Sequence, residues 1–121
     1  MRVLICDDEP DIRFLYRSAF EREGAHVDEA SDGDECLAAA DANEPDIIVL
    51  DLLMPGRDGL ATLPALRRNH PRSRVLIVSA HAAVDVFEAS RSRGAAACFD
   101  KIGFLPRIPW VVERFGAALE H

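Results

Sequence analysis

Short apolar runs alternate along this chain with longer amphipathic stretches, the pattern of βα units whose parallel sheet is covered by helices on both faces. Five such units are expected, with strands near 2–6, 25–30, 46–50, 74–79 and 96–99, each rich in Val, Ile, Leu, Ala or Cys. The second, Ala25-His26-Val27-Asp28-Glu29-Ala30, is the most polar and belongs at a sheet edge. Helix one should open at Pro10, whose fixed φ and missing N–H suit a first helical position, turn Ile12, Leu15, Ala19 and Phe20 toward the sheet, and stop at Gly24. Helix two follows Asp32 or Gly33 and presents Cys36, Leu37 and Ala40. Helix three runs from about 59 to 69 with Leu60, Leu63 and Leu66, and Pro64 must lie near its first turn or bend it. Helix four is placed at about 83–93, ending at Gly94, and helix five opens near Pro109 with Val111, Val112, Phe115 and Leu119 on one side. That leaves 103–109 as an unusually apolar loop, which either presents Phe104 and Trp110 to a partner or packs against helix four.

At 121 residues the chain can bury one core but not a second of ordinary size. Residues 1–118 are read as a single domain and 119–121, Leu-Glu-His, as the junction commonly left before a C-terminal tag. Apolar runs such as Ile47 to Leu50 are far too short to cross a bilayer, and Met1-Arg2 leads straight into Val3-Leu4-Ile5-Cys6 without a signal-peptide pattern, so a cytoplasmic location is expected. A net charge of -7, with no Lys/Arg stripe interleaved with aromatics, argues against direct binding of nucleic acid or membrane. Cys6, Cys36 and Cys98 are odd in number and widely spaced, so three reduced thiols are expected. His26, His70 and His81 lack metal-ligand spacing and read as surface or edge residues.

In an open parallel sheet the ligand crevice lies beyond the carboxyl ends of the strands, where strand order reverses. There the sequence offers Asp7-Asp8-Glu9 after strand one, Asp51 after strand three, Ser79 at the end of strand four and Lys101 just past strand five. Each has an ordinary explanation alone: carboxylates ahead of a helix cap its N–H groups, an aspartate can open a turn, a serine can cap, a lysine can be solvated. Their joint placement at four strand ends is what points to a site. Three aspartates brought together repel one another, and an all-oxygen cluster suits a hard cation such as Mg2+. Lys101 is the only lysine among 14 basic residues, a compact point charge suited to a carboxylate or phosphoryl oxygen. Carboxylates, a hydroxyl and an ammonium around one cavity are what phosphoryl transfer requires, since that chemistry rests on positioning and charge neutralisation.

The segments Val3-Leu4-Ile5-Cys6-Asp7-Asp8-Glu9-Pro10 and Asp51-Leu52-Leu53-Met54-Pro55-Gly56-Arg57-Asp58-Gly59, with Ser79-Ala80 and Lys101 at matching separations, resemble the receiver domains of two-component response regulators over the whole chain. The resemblance implies a doubly wound, flavodoxin-like α/β fold, with a five-stranded parallel sheet of order 2-1-3-4-5. It implies Asp51 as phosphoacceptor, and Mg2+ held by Asp7, directly or through water, Asp8, Asp51 and the backbone carbonyl of Leu53. Ser79 and Lys101 would take phosphoryl oxygens. The implied partners are a sensor histidine kinase or phosphotransfer protein, or a small donor such as acetyl phosphate, with a C-terminal output domain or downstream protein and a phosphorylation-dependent homodimer as further expectations. A signalling module rather than an enzyme is expected.

Two positions depart from the family's pattern. Cys98 stands where the family usually has a Tyr or Phe, and neighbouring Phe99 should face the opposite side of the strand. Ile102 follows Lys101 where proline is common, so a trans bond and an altered loop are expected. Signalling through the strand-five and helix-five face by backbone shift follows from these departures. Leu53 and His81, flanking the acceptor, point to slow dephosphorylation. Two competing classes are a small phosphatase with an aspartyl-phosphate intermediate, which generally needs an acid where Leu53 stands, and a degenerate receiver acting as a binding scaffold.

Overall fold

The computed structural model describes residues 1–54, 59–80 and 84–116, with the side chains of Val84 and Asp85 excepted. Strands β1 (Arg2–Cys6), β2 (His26–Ala30), β3 (Ile47–Leu50), β4 (Arg74–Ser79) and β5 (Ala97–Asp100) form one parallel sheet in the order β2-β1-β3-β4-β5. The polar strand is an edge, as its composition implied. β3 is buried along its whole length because helices cover both faces. On one face α1 (Pro10–Arg22) packs with the C-terminal helices; on the other lie α2 (Gly33–Ala42), α3 (Gly59–Asn69) and α4 (Val84–Ser92). α1 and α4 are each followed by a glycine at positive φ, Gly24 at 88° and Gly94 at 105°, a conformation most side chains resist.

The C-terminal third differs from the sequence expectation. No loop separates β5 from helix five: α5 (Lys101–Phe104), a 3-10 turn (Leu105–Arg107), α6 (Ile108–Val111) and a π turn (Val112–Gly116) follow one another directly. Asp100 caps α5 by accepting from the Ile102 N–H at 3.0 Å, and Pro106 and Pro109 stand at the opening positions of the next two segments, where no N–H is needed. The prolines that suggested a loop therefore start short helices. Phe104 is fully buried and packs on α1 through Tyr16 and Phe20, neither presented to a partner nor set against α4. Val111 and Phe115 are core, while Leu119 lies outside the described residues.

Smaller corrections share one cause, a helical phase or a neighbour that sequence periodicity does not reveal. In α1 Tyr16 and Phe20 are buried, and Leu15, assigned to the inner stripe, is 44% exposed. Of the two alternatives for Pro64, a first-turn position is excluded: it lies inside α3, where it cannot donate to the Leu60 carbonyl. His70 is buried rather than on the surface, its Nε2 2.8 Å from Asp41 and its Nδ1 3.6 Å from Glu44. No cis peptide bond occurs among the described residues, so Lys101–Ile102 is trans, as expected.

The expectation of three reduced thiols is overturned. Cys6, at the end of β1, and Cys36, in the first half of α2, form a disulfide with Cα atoms 5.9 Å apart, leaving Cys98 as the free thiol. Sequence spacing conceals the pair because the chain leaves β1 and returns in α2 before bringing both sulfurs to one buried point. Closing a loop of 30 residues corresponds to roughly 3–4 kcal/mol by the chain-entropy model. Protein denatured without reductant should titrate one thiol and, after reduction, three; three from the outset would rule the bridge out.

Candidate functional site

The pairing of β1 with β2 on one side and β3 on the other places the two buried carboxylates side by side. Asp7 donates its N–H to the Ala30 carbonyl at 3.0 Å and Asp51 donates to the Cys6 carbonyl at 2.9 Å, so both leave the sheet in register at the strand-order reversal. Both are 3% exposed, whereas Asp8 faces solvent. One oxygen from each of Asp7, Asp8 and Asp51 lies within 4.8 Å of the others. Asp51 Oδ1 accepts from the Leu53 N–H at 3.0 Å, which fixes the carboxylate plane, while its Oδ2 lies 3.2 Å from Lys101 Nζ. Lys101 Nζ is also 2.9 Å from Asp7 Oδ2 and 2.9 Å from Glu9 Oε1. One ammonium thus holds three carboxylates, from the ends of β1 and β3 and the start of α1.

Burial raises the pKa of Asp51, the Leu53 N–H opposes that shift, Asp7 adds to it and Lys101 counters it. For Lys101, burial opposes the charged form but Asp7, Glu9 and Asp51 outweigh it, holding the ammonium above its ordinary value. The site is therefore a set of crowded oxygens around one fixed cation, with negative charge in excess. That donor set is oxygen only, two of three buried, and fits a hard divalent ion.

Supporting residues escaped the sequence reading. Arg13 donates to the Asp7 carbonyl at 2.7 Å and to Glu29 at 2.9 Å, tying the β1 end to the edge strand. Glu9 was visible only as part of an acidic triplet, and its bond to Lys101 crosses 92 residues. Gly59 has a necessity of its own: a Cβ there would fall against the Asp51 carbonyl oxygen and 2.7 Å from the Leu52 Cα. Because backbone, not a flexible side chain, would have to yield, Gly59→Ala should cost roughly 1–3 kcal/mol and displace Asp51. Chemical denaturation together with the Asp51 amide shift would check it; an unmoved resonance and unchanged stability would contradict the close approach.

Of the residues expected at the site, Asp7, Asp8, Asp51 and Lys101 come together. Ser79 ends β4, buried, and its hydroxyl donates to the Ala80 carbonyl at 3.4 Å. Leu53 lies beside Asp51 with 64% exposure. His81 and the 55–58 part of the Met-Pro-Gly turn lie outside the described residues. Cys98 packs toward α4, its Sγ 3.7 Å from the Phe87 carbonyl, while Phe99 packs on the α1 side, as strand alternation requires.

The model of the family described as "Response regulator receiver domain" matches residues 3–108. The nitrogen assimilation regulatory protein NtrX of Azorhizobium caulinodans is 36% identical over 114 residues, covering 93% of this chain and 25% of that protein. Sporulation initiation phosphotransferase F of Bacillus subtilis is 32% identical over 100 residues, covering 83% of this chain and 81% of that protein. The crystal structure of the receiver domain of NtrX from Brucella abortus superposes with a TM-score of 0.86 at 34% identity, covering 98% of each chain. The chain spans about a quarter of the length of the NtrX and NtrC relatives it matches.

Proposed function

The chain belongs to the response regulator receiver domain family of two-component signalling, and from that membership we propose that Asp51 is its phosphoacceptor. The observation that carries the reading is the single ammonium of Lys101 set between two buried carboxylates at the ends of β1 and β3, one of them Asp51. Asp51 Oδ1 is held by the Leu53 N–H, so Oδ2 is the oxygen that forms the bond to phosphorus as the donor's bond to phosphorus breaks. Lys101 and, after a rotation of its hydroxyl, Ser79 take the phosphoryl oxygens.

Asp7, Asp8, Asp51 and the Leu53 carbonyl would hold Mg2+, which supplies charge neutralisation for the phosphoryl oxygens when bound. Arg13, through the Asp7 backbone carbonyl, and the Glu9 N–H, through its carboxylate, keep Asp7 aimed at the site. The donor is a sensor histidine kinase or phosphotransfer protein, with acetyl phosphate as a small substitute, and the domain acts as a switch rather than as an enzyme with a released product. Since NtrX and NtrC are about four times as long as the matched region, an output domain or separate downstream protein reads the switch. We place the protein in the cytoplasm; the Cys6–Cys36 bridge is compatible with reducing surroundings because both residues are 0% exposed and reductant reaches them only by local opening.

Intact mass after acetyl phosphate treatment, with Mg2+ and with a chelator, tests the reading. One phosphoryl adduct that requires Mg2+ supports it. Consumption of the donor without a lasting adduct would indicate a phosphatase, and no reaction with donor or kinase would indicate a scaffold.

A further inference from the structure

On the α1 side of the sheet, beneath the carboxylates, lies a polar atom that the phosphoryl chemistry does not use. Tyr16 is 3% exposed, and its hydroxyl donates to the backbone carbonyl of Lys101 at 3.5 Å. Its ring meets Phe104 edge-on, the centroids 5.1 Å apart. Tyr16 therefore touches both the first and the last residue of α5. Phe104 in turn meets Phe99 at 5.2 Å, and Phe99 meets Trp110 at 6.4 Å, both edge-on. The Arg107 guanidinium lies 4.7 Å from the centre of the Trp110 ring and 5.4 Å from that of Phe99, and Trp110 is 45% exposed.

We propose that Tyr16 is a positioning residue for Lys101, its hydroxyl holding the first residue of α5 by the carbonyl and its ring bearing on the last. A displacement of Lys101 then passes through Phe104 and Phe99 to Trp110. This rests on the reading of Asp51 and Lys101 as the phosphorylation site. Lys101 is held from two sides: its ammonium by Asp7, Glu9 and Asp51, its carbonyl by Tyr16. A group that draws the ammonium off its present partners also pulls, through the lysine side chain, on the backbone that starts α5. The Tyr16 contact is responsive to such a movement, because 3.5 Å is longer than a usual O–H···O bond and an approach of a few tenths of an ångström strengthens it. Burial pushes the Tyr16 hydroxyl up to about 12, against the pull of Lys101, so it remains a donor throughout the neutral range.

The aromatic chain also explains how a receiver can work with Cys98 in its position. Cys98 faces α4 and carries no ring, whereas Phe99, on the opposite side of the same strand, is continuous with Tyr16 and Trp110. The signal would leave on the face that α1 and α6 share, rather than past α4.

Trp110 is the sole tryptophan, so its emission reports the far end of this chain of contacts. The test compares wild type, Tyr16→Phe and Tyr16→Leu for three readouts: initial rate of adduct formation with acetyl phosphate and Mg2+ by intact mass, change in Trp110 emission per mole of adduct, and thermal midpoint. Tyr16→Phe keeps the ring and the packing, so its midpoint should stay near wild type while its rate falls about twofold, the equivalent of a weak neutral hydrogen bond, and its emission change shrinks by more than half. Tyr16→Leu, lacking ring and hydroxyl, should lose most of both. A merely structural Tyr16 would lower the midpoint in the leucine variant and leave the phenylalanine variant's rate and emission change at wild-type values, which overturns the proposal. Wild-type adduct with unchanged Trp110 emission also overturns it while leaving Asp51 as acceptor. No wild-type adduct from either acetyl phosphate or a histidine kinase overturns both.

Discussion

Asp51→Asn should take up no phosphoryl group from acetyl phosphate or a kinase, and at the same time should be more stable than the wild type when divalent ions are chelated. The first effect follows from removing the attacking oxygen, since an amide is not a nucleophile toward phosphorus. The second follows from the raised pKa of Asp51. A carboxyl whose folded pKa lies above its unfolded value costs stability when ionised, so stability is gained as pH falls through the folded pKa and lost as pH rises through it. Asparagine removes that cost at neutral pH without changing the shape of the side chain. With chelator, the difference in thermal midpoint between wild type and Asp51→Asn should therefore narrow as the pH is lowered below the raised pKa, and Mg2+ should stabilise the wild type more than the variant. An Asp51→Asn protein that still gains the adduct would move the acceptor elsewhere; one that is less stable at neutral pH would mean that the Lys101 contact outweighs burial and the repulsion from Asp7.

The largest loss of stability is expected at Phe104. Its ring is fully buried and touches Tyr16, Phe20 and Phe99, so Phe104→Ala deletes contacts with both α1 and β5 and leaves a cavity that rigid ring neighbours cannot fill. Such truncations cost about 3–5 kcal/mol, a fall in thermal midpoint of roughly 10–20 °C for a domain of this size. Ile102→Ala, two residues away at 88% exposure, is the control and should change stability by less than about 0.5 kcal/mol. Urea unfolding of both variants would decide it. Equal, small losses would mean that α5 is held by its cap and not by its ring.

That contrast shows where the sequence could be read and where it could not. Strands and the convergence of Asp7, Asp8, Asp51 and Lys101 were legible, because short apolar runs specify strands and the residue after each run is carried to the same rim, while the strand order followed from the family resemblance. Phe104 was misread because its neighbours Pro106 and Pro109 carry a strong local loop signal, while the rings that bury it lie about 85 residues earlier, in α1. Tyr16 sat in the helix-one pattern beside Leu15, and periodicity alone did not set the phase between them. The Cys6–Cys36 bridge and the burial of His70 against Asp41 are likewise contacts between elements, invisible to spacing along the chain. Gly59 was legible as part of a motif, but its reason, the approach of the Asp51 backbone, is a property of the folded site.

The polar edge strand has a consequence for how copies of this domain can meet. β2 offers a row of backbone groups to any incoming strand, yet Asp28 is paired with Arg2 at 3.2 Å, and Glu29 is paired with both Arg13 and Arg17. A strand laid along β2 would have to strip water from those ion pairs, and in a second copy it would bring the same two acids against them. The opposite edge, β5, has four residues and runs straight into α5, leaving little to pair with. The sheet is thus closed to growth at one side by charge and at the other by brevity, and crowding in the cell should not convert this domain into strand-swapped aggregates.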